Sequence, residues 1–93
     1  MSDKIEIRNN SEKSSFELFL NDVHAGEIDY EIRRDKILLT HTGVRQEHEG
    51  KGLARKLVEF AVSYARENEL KVQPICPYIK KVFERNQEYQ DLL

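Results

Sequence analysis

Apolar and polar residues alternate through the first half of the chain and recur at helical spacing through the second. Ile5 and Ile7 alternate with Lys4, Glu6 and Arg8, the pattern of a short strand with one buried face. The stretch 9–15 is polar and turn-rich, and a second strand is predicted over 16–20. It ends at Asn21-Asp22, residues that tolerate the positive φ of a tight hairpin. A third strand is expected over about 25–33, with Ile28, Tyr30 and Ile32 on one face and Glu27, Asp29 and Glu31 on the other. Arg34-Asp35 is the next turn. A fourth strand over about 36–44 puts Ile37, Leu39 and His41 together. The four strands read as an antiparallel meander.

The second half changes period. Across 51–68, Leu53, Ala54, Leu57, Val58, Ala61, Tyr64 and Ala65 form one helical stripe, leaving Arg55, Lys56, Glu59, Arg66 and Glu67 for water. Asn68 is the expected stop. A short strand follows over 71–75, and from Pro77 a second amphipathic segment buries Ile79, Val82 and Phe83. Pro74 has no N–H to give a neighbour, which fits either a strand losing its partner there or an edge strand. The predicted fold class is α/β (α+β): an antiparallel or mixed sheet, one main helix and a short C-terminal helix.

Composition narrows the function classes. Ninety-three residues make one domain, 1–93, and 39% hydrophobic with 34% charged residues is a soluble globular balance. Fifteen Lys and Arg against 17 Asp and Glu leave a formal charge of -2, which argues against general nucleic-acid binding. No apolar run approaches the roughly 18–20 residues of a membrane span. The start, Met1-Ser2-Asp3-Lys4, lacks the apolar core of a signal peptide. One cysteine forms no intrachain disulfide, so a reducing, cytoplasmic setting is expected. No histidine pair has metal-ligand spacing, and no metal site is expected. A core this small makes a homodimer as reasonable as a monomer.

The stretch 44–54 leaves a strand, passes Gly50 and Gly52, and enters the longest helix. The first-turn amides of a helix have no intrahelical acceptor and carry partial positive charge. Glycines let the backbone curl and let an anion approach with no Cβ in the way. The small Ala54 permits the same approach, and Lys51 adds positive charge at the mouth. The turn is either a cradle for a phosphate or diphosphate or a glycine turn that binds nothing. It is not a Walker loop, and Arg55 stands at the third glycine of the dinucleotide pattern.

Glu49-Gly50-Lys51-Gly52-Leu53-Ala54 resembles the coenzyme A diphosphate loop of the GCN5-related N-acetyltransferases, [QR]-x-x-G-x-[GA]. Glu49 departs from it, standing where the family has Gln or Arg. The chain is more specifically similar to the small single-domain subgroup of that family. That subgroup carries a His-Thr-x-Val strand end, the glycine loop and a Pro-x-Cys-x-[YFW] segment before a short helix. Here these are His41-Thr42-Gly43-Val44, the loop, and Pro74-Ile75-Cys76-Pro77-Tyr78, in the same order. The resemblance implies acetyl-CoA or coenzyme A as co-substrate, held by Val44 and by Glu49, Gly50, Lys51, Gly52, Leu53 and Ala54. It also implies that the fourth and fifth strands splay to admit pantetheine, with the Thr42–Val44 amides aimed at the acyl carbonyl.

Cys76 and His41 are the candidate catalytic residues. Cys76 precedes Pro77 at a predicted helix start, where a thiol meets the positive end of the dipole and, near a thioester, could accept the acyl group. A lone cysteine equally reads as a small buried hydrophobe. His41 suits general-base removal of a proton from an ammonium or thiol, or packs in the core as a structural histidine. Tyr78 reads as an aromatic core anchor ahead of a general acid. Lys80, Lys81 and Arg85 fit the adenosine 3′-phosphate or a wet helix face. Glu27, Asp29 and Glu31 attract a basic acceptor or simply face water. The first expectation is an acyl-CoA-dependent N-acyltransferase acting on an amine acceptor, by direct attack or through acyl-Cys76. The second is a non-catalytic module that binds acyl-CoA, and the third a structural interaction domain.

Overall fold

A computed structural model describes residues 3–93; Met1 and Ser2, which head the start of the chain read above as leaderless, lie outside the described residues. Five strands form one sheet in the order β1 (Ile5–Asn10), β2 (Ser15–Leu20), β3 (Val23–Arg33), β4 (Lys36–Val44) and β5 (Lys71–Pro74). The first four pair antiparallel, and β5 lies parallel to β4. A parallel return needs a crossover, and α1 (Leu53–Glu67) supplies it. α2 (Pro77–Arg85) and a 3₁₀ segment (Gln87–Leu92) complete the chain. No helix among the described residues is long and apolar enough to cross a membrane.

Local chemistry sets the turns. Asn21 and Asp22 take φ of 51° and 70° between the paired Leu20 and Val23, a two-residue turn whose twist matches its strands. At the end of α1 the left-handed residue is Glu69 rather than Asn68. Leu70 N–H donates to Ala65 O at 2.8 Å and Glu69 N–H to Arg66 O at 3.3 Å, closing the last turn as a Schellman motif.

One face of the sheet holds the core. α1 buries Leu53, Leu57, Val58, Ala61, Val62 and Ala65 against it, and α2 adds Ile79, Val82 and Phe83. Phe16 sits at the centre, stacked on Tyr30 at 4.5 Å and flanked by Phe60 and Tyr64 at 5.2 and 5.1 Å. Arg66 ties the C-terminal segment to α1 through Asp91 at 2.7 Å and the Glu88 carbonyl at 2.8 Å.

Three expectations are corrected here. Ile32 is 45% exposed instead of buried with Ile28 and Tyr30, because the last three residues of β3 all lie beyond the covered layer. The helix begins at Leu53, not 51, because Gly52 is left-handed and ends the turn ahead of it. His41 does not share a face with Ile37 and Leu39. Asp29 pairs with His41 and the next residue, Tyr30, with Leu39, so Thr40 is an extra residue in β4. A one-residue bulge reverses alternation beyond it, turning His41 to the open face and Thr42 and Val44 toward the helices.

Candidate active site

The chain leaves β4 through Arg45, makes one 3₁₀ turn (Gln46–His48), and reaches α1 through Gly50 and Gly52, with φ of 82° and 75°. A Cβ on either glycine would meet nothing within 4 Å, so both are needed for backbone conformation, and the space above them is open. Lys56 N–H donates to Gly52 O at 3.2 Å. The amides of Leu53, Ala54 and Arg55 therefore precede the first intrahelical bond and face outward. Gly52 offers no side-chain cap, and the first turn of α1 contains no acidic residue. The helix start is an uncompensated positive pole.

That pole opens into a cleft of about 400 Å³. Its walls are Thr42, Gly43 and Val44 of β4, the 48–50 and 52–55 stretches, and Tyr78 of α2. Six of the residues read from the sequence line it: Val44, Glu49, Gly50, Gly52, Leu53 and Ala54. Lys51 is exposed outside the lining, and the nearby cation is instead Arg55. Arg55 is only half-exposed, which corrects its reading as a water-facing residue. Its Nη2 donates to Asn86 Oδ1 at 3.0 Å, while its guanidinium lies 5.9 Å from the centre of the Tyr89 ring. Arg55 Nε and His48 Nδ1 are both buried with no hydrogen-bond partner among the described residues. Buried polar atoms are normally paired, so two of them on one cleft wall fit a polar, anionic guest. A cation in the first helical turn opposes the helix dipole; that signal was available in the sequence at Arg55. Tyr78 is 41% exposed on the cleft instead of anchoring the core.

One wall of the cleft, Thr42 to Val44, belongs to the stretch of β4 beyond its pairing with β5. β4 and β5 pair only from Lys36 with Lys71 to Leu39 with Pro74. Leu39 O then accepts from both Ile75 N–H and Cys76 N–H at 3.0 Å, ending the ladder where Pro74 has no N–H to continue it. Pro74 thus lies both on an edge strand and at the point of separation. Arg45 N–H donates to Ala25 O at 2.8 Å, so by strand alternation Thr42 and Val44 direct their main-chain groups away from β3, toward the side β5 has left.

Cys76 and His41 both lie two residues past that last pair, but on opposite faces. Cys76 occupies the N-cap position of α2 ahead of Pro77, as read; the residue is 8% exposed among core residues, and its side chain makes no capping hydrogen bond. The His41 side chain is 58% exposed on the open face, its Nε2 3.4 Å from Glu27 Oε2. Among the described residues no group of three His, Cys, Asp or Glu side chains is arranged to hold a metal ion.

Residues 15–92 match the family model described as GCN5-related N-acetyl-transferase. The chain belongs to the GCN5-related N-acetyltransferase family. Acyl-CoA-dependent acyl transfer is the general activity of this family. The chain is 30% identical over 84 residues to Protein NATD1 of Gallus gallus and equally to that of Mus musculus, covering 88% of this chain and 76% of either relative. A Staphylococcus aureus protein solved by NMR and described as GCN5-like has the same fold, with a TM-score of 0.74 and 32% identity over 94% of this chain and 85% of the other. The ribosomal-protein-alanine N-acetyltransferase of Brucella melitensis shares the fold at a TM-score of 0.68 and 18% identity, covering 76% of this chain and 58% of that one.

Proposed function

We propose that the chain transfers an acetyl group from acetyl-CoA to a primary amine. One observation carries this reading: an uncapped helix start, free of acidic residues in its first turn, opens on a cleft walled by the stretch of β4 that β5 has left. The Leu53, Ala54 and Arg55 amides would receive the diphosphate, with Gly50 and Gly52 leaving room above them. Arg55 Nε and His48 Nδ1 offer two further polar partners. The Val44 amide, directed into the gap, suits the pantetheine arm or the acyl carbonyl. Glu49 opposes an anion only if it turns inward, and it is exposed enough to turn away.

In this reading the amine attacks the thioester directly, with His41 taking its proton. A Cys76 relay is a second route, favoured by the position of that thiol at the start of α2 beside the gap. Its burial opposes it, because an acyl group needs the side chain to leave the core. Intact mass after incubation with acetyl-CoA separates the two: a gain of one acetyl group on the wild type, lost in Cys76→Ala, supports the relay. A module that binds acyl-CoA without transferring it is the other reading, favoured by Glu49 on the cleft wall. A titration of coenzyme A followed by NMR tests the binding common to all three. The amides of 50–55 and Val44 should shift together, and their standing still at millimolar coenzyme A would overturn the proposal.

A further inference from the structure

The face of the sheet away from the helices carries a side-chain arrangement that packing does not require. Glu27 of β3 lies directly across from Glu17 of β2 on one side and Gly43 of β4 on the other. Its two oxygens reach two imidazoles, Oε2 to His41 Nε2 at 3.4 Å and Oε1 to His24 Nε2 at 3.8 Å. His24 Nε2 is also 3.9 Å from Glu17 Oε2. Carboxylates directly opposite one another on a sheet repel, so this pairing does not serve stability by itself. Asp29, across from His41, adds a further carboxylate on that face, while Arg8, across from Glu17, is committed to Glu6 at 3.0 Å.

Gly43 supplies the second observation. Its φ lies outside the left-handed range, so its backbone conformation does not require glycine. A Cβ at this position would lie 2.7 Å from Glu27 Oε2 and 3.2 Å from His41 Nε2. The volume that a side chain would fill is the volume in which carboxylate and imidazole meet. Glycine at 43 keeps the pair together across the strand.

Resting on the transfer reading above, we propose that Glu27 is a positioning residue for His41. A carboxylate 3.4 Å from Nε2 favours the proton on that nitrogen by its charge, and so favours the Nε2–H tautomer, which leaves the lone pair on Nδ1. His41 belongs to the stretch of β4 that β5 has left, on the face opposite the core. An amine arriving from that face meets the thioester through the gap. Its nitrogen bonds to the acetyl carbon, the C–S bond breaks with its electron pair leaving as coenzyme A thiolate, and the nitrogen's proton passes to His41 Nδ1. Glu27 touches none of the reacting atoms; it sets which ring nitrogen is basic and where it points.

Long-range ¹H–¹⁵N correlation on histidine-labelled protein, with the pH raised until the imidazole is neutral, reads the tautomer directly. The wild type should show His41 as Nε2–H, and both Glu27→Ala and Gly43→Ala should shift it toward a mixture while backbone spectra and melting temperature stay those of a folded chain. With acetyl-CoA and n-butylamine as probe amine, Glu27→Ala should lower kcat about tenfold, a part of the roughly 10²–10⁴-fold that the base itself supplies, and leave KM for acetyl-CoA within about twofold. In a His41→Ala background the same change should have no further effect. An Nδ1–H tautomer in the wild type, a tautomer indifferent to Glu27→Ala, or an undiminished loss in the His41→Ala background would each overturn the assignment. Coenzyme A binding is read separately from the 50–55 amides, so failure of the cradle is distinguishable from failure of the pair. Absence of turnover on bound acetyl-CoA would remove the transfer reading and His41's part in it.

Discussion

Ala54→Glu separates the cradle from the stability of the helix that makes it. Ala54 is the second residue of α1 and lines the cleft, and the first turn contains no acidic residue. A glutamate there complements the helix dipole and should stabilise the fold by about 0.3–1 kcal/mol. The same carboxylate stands beside the amides proposed to hold a diphosphate. At about 5 Å and an effective dielectric near 20, its repulsion of one phosphoryl charge is roughly 3 kcal/mol, which solvent in an open cleft reduces to about 1–2 kcal/mol. Affinity for coenzyme A should therefore fall about 5- to 30-fold while the melting temperature holds or rises. Isothermal titration of coenzyme A and a thermal melt of the same sample measure both. Unchanged affinity would refute main-chain capture at this helix start, whereas weaker binding with a lowered melting temperature would mean only a damaged fold.

Three further outcomes follow from the same structure. Gly52→Ala puts a Cβ on a residue at φ 75° with open space around it, so the change should cost about 1–2 kcal/mol through backbone strain alone and lower the melting temperature by roughly 4–8 °C for each kcal/mol. Phe16→Ala removes a fully buried ring that touches Tyr30, Phe60 and Tyr64, and should cost about 3–5 kcal/mol, a large share of the roughly 5–15 kcal/mol typical of a domain, as denaturant unfolding would show. The Arg66 guanidinium, hydrogen-bonded to Asp91, holds that carboxyl below its ordinary value of 3.8. A depressed carboxyl contributes stability above that ordinary value and loses it as the pH falls through the folded one. Arg66→Met should accordingly flatten the acid limb of the stability–pH curve below about pH 4, the difference between wild type and variant narrowing toward the acid end to what the Glu88 carbonyl contact leaves; parallel limbs would discount the pair.

Much of the fold was legible because its determinants are local. Strand alternation, the Asn21-Asp22 turn, the α1 stripe and Pro77 after Cys76 each act over a few residues, and they lie where the sequence pattern puts them. The glycine loop was legible for the same reason, since left-handed backbone is the property of a single residue. His41 was misread because alternation assumes an unbroken ladder, and nothing near Thr40 marks the extra residue. Arg55 and Tyr78 were misread because amphipathic spacing says which side of a helix faces the core but not where that core stops and a cleft begins.

The chain by itself determined its elements, their order and the positive pole ahead of α1, because those depend on residue type and on spacings of two to four positions. Only the folded sheet decided that β4 and β5 separate after Leu39 and Pro74, that Cys76 and His41 end on opposite faces, and that Glu27 reaches His41 across Gly43. Those are relations between strands distant in sequence. They arise from register and from one bulge, which the hydrophobic pattern of a single strand does not encode.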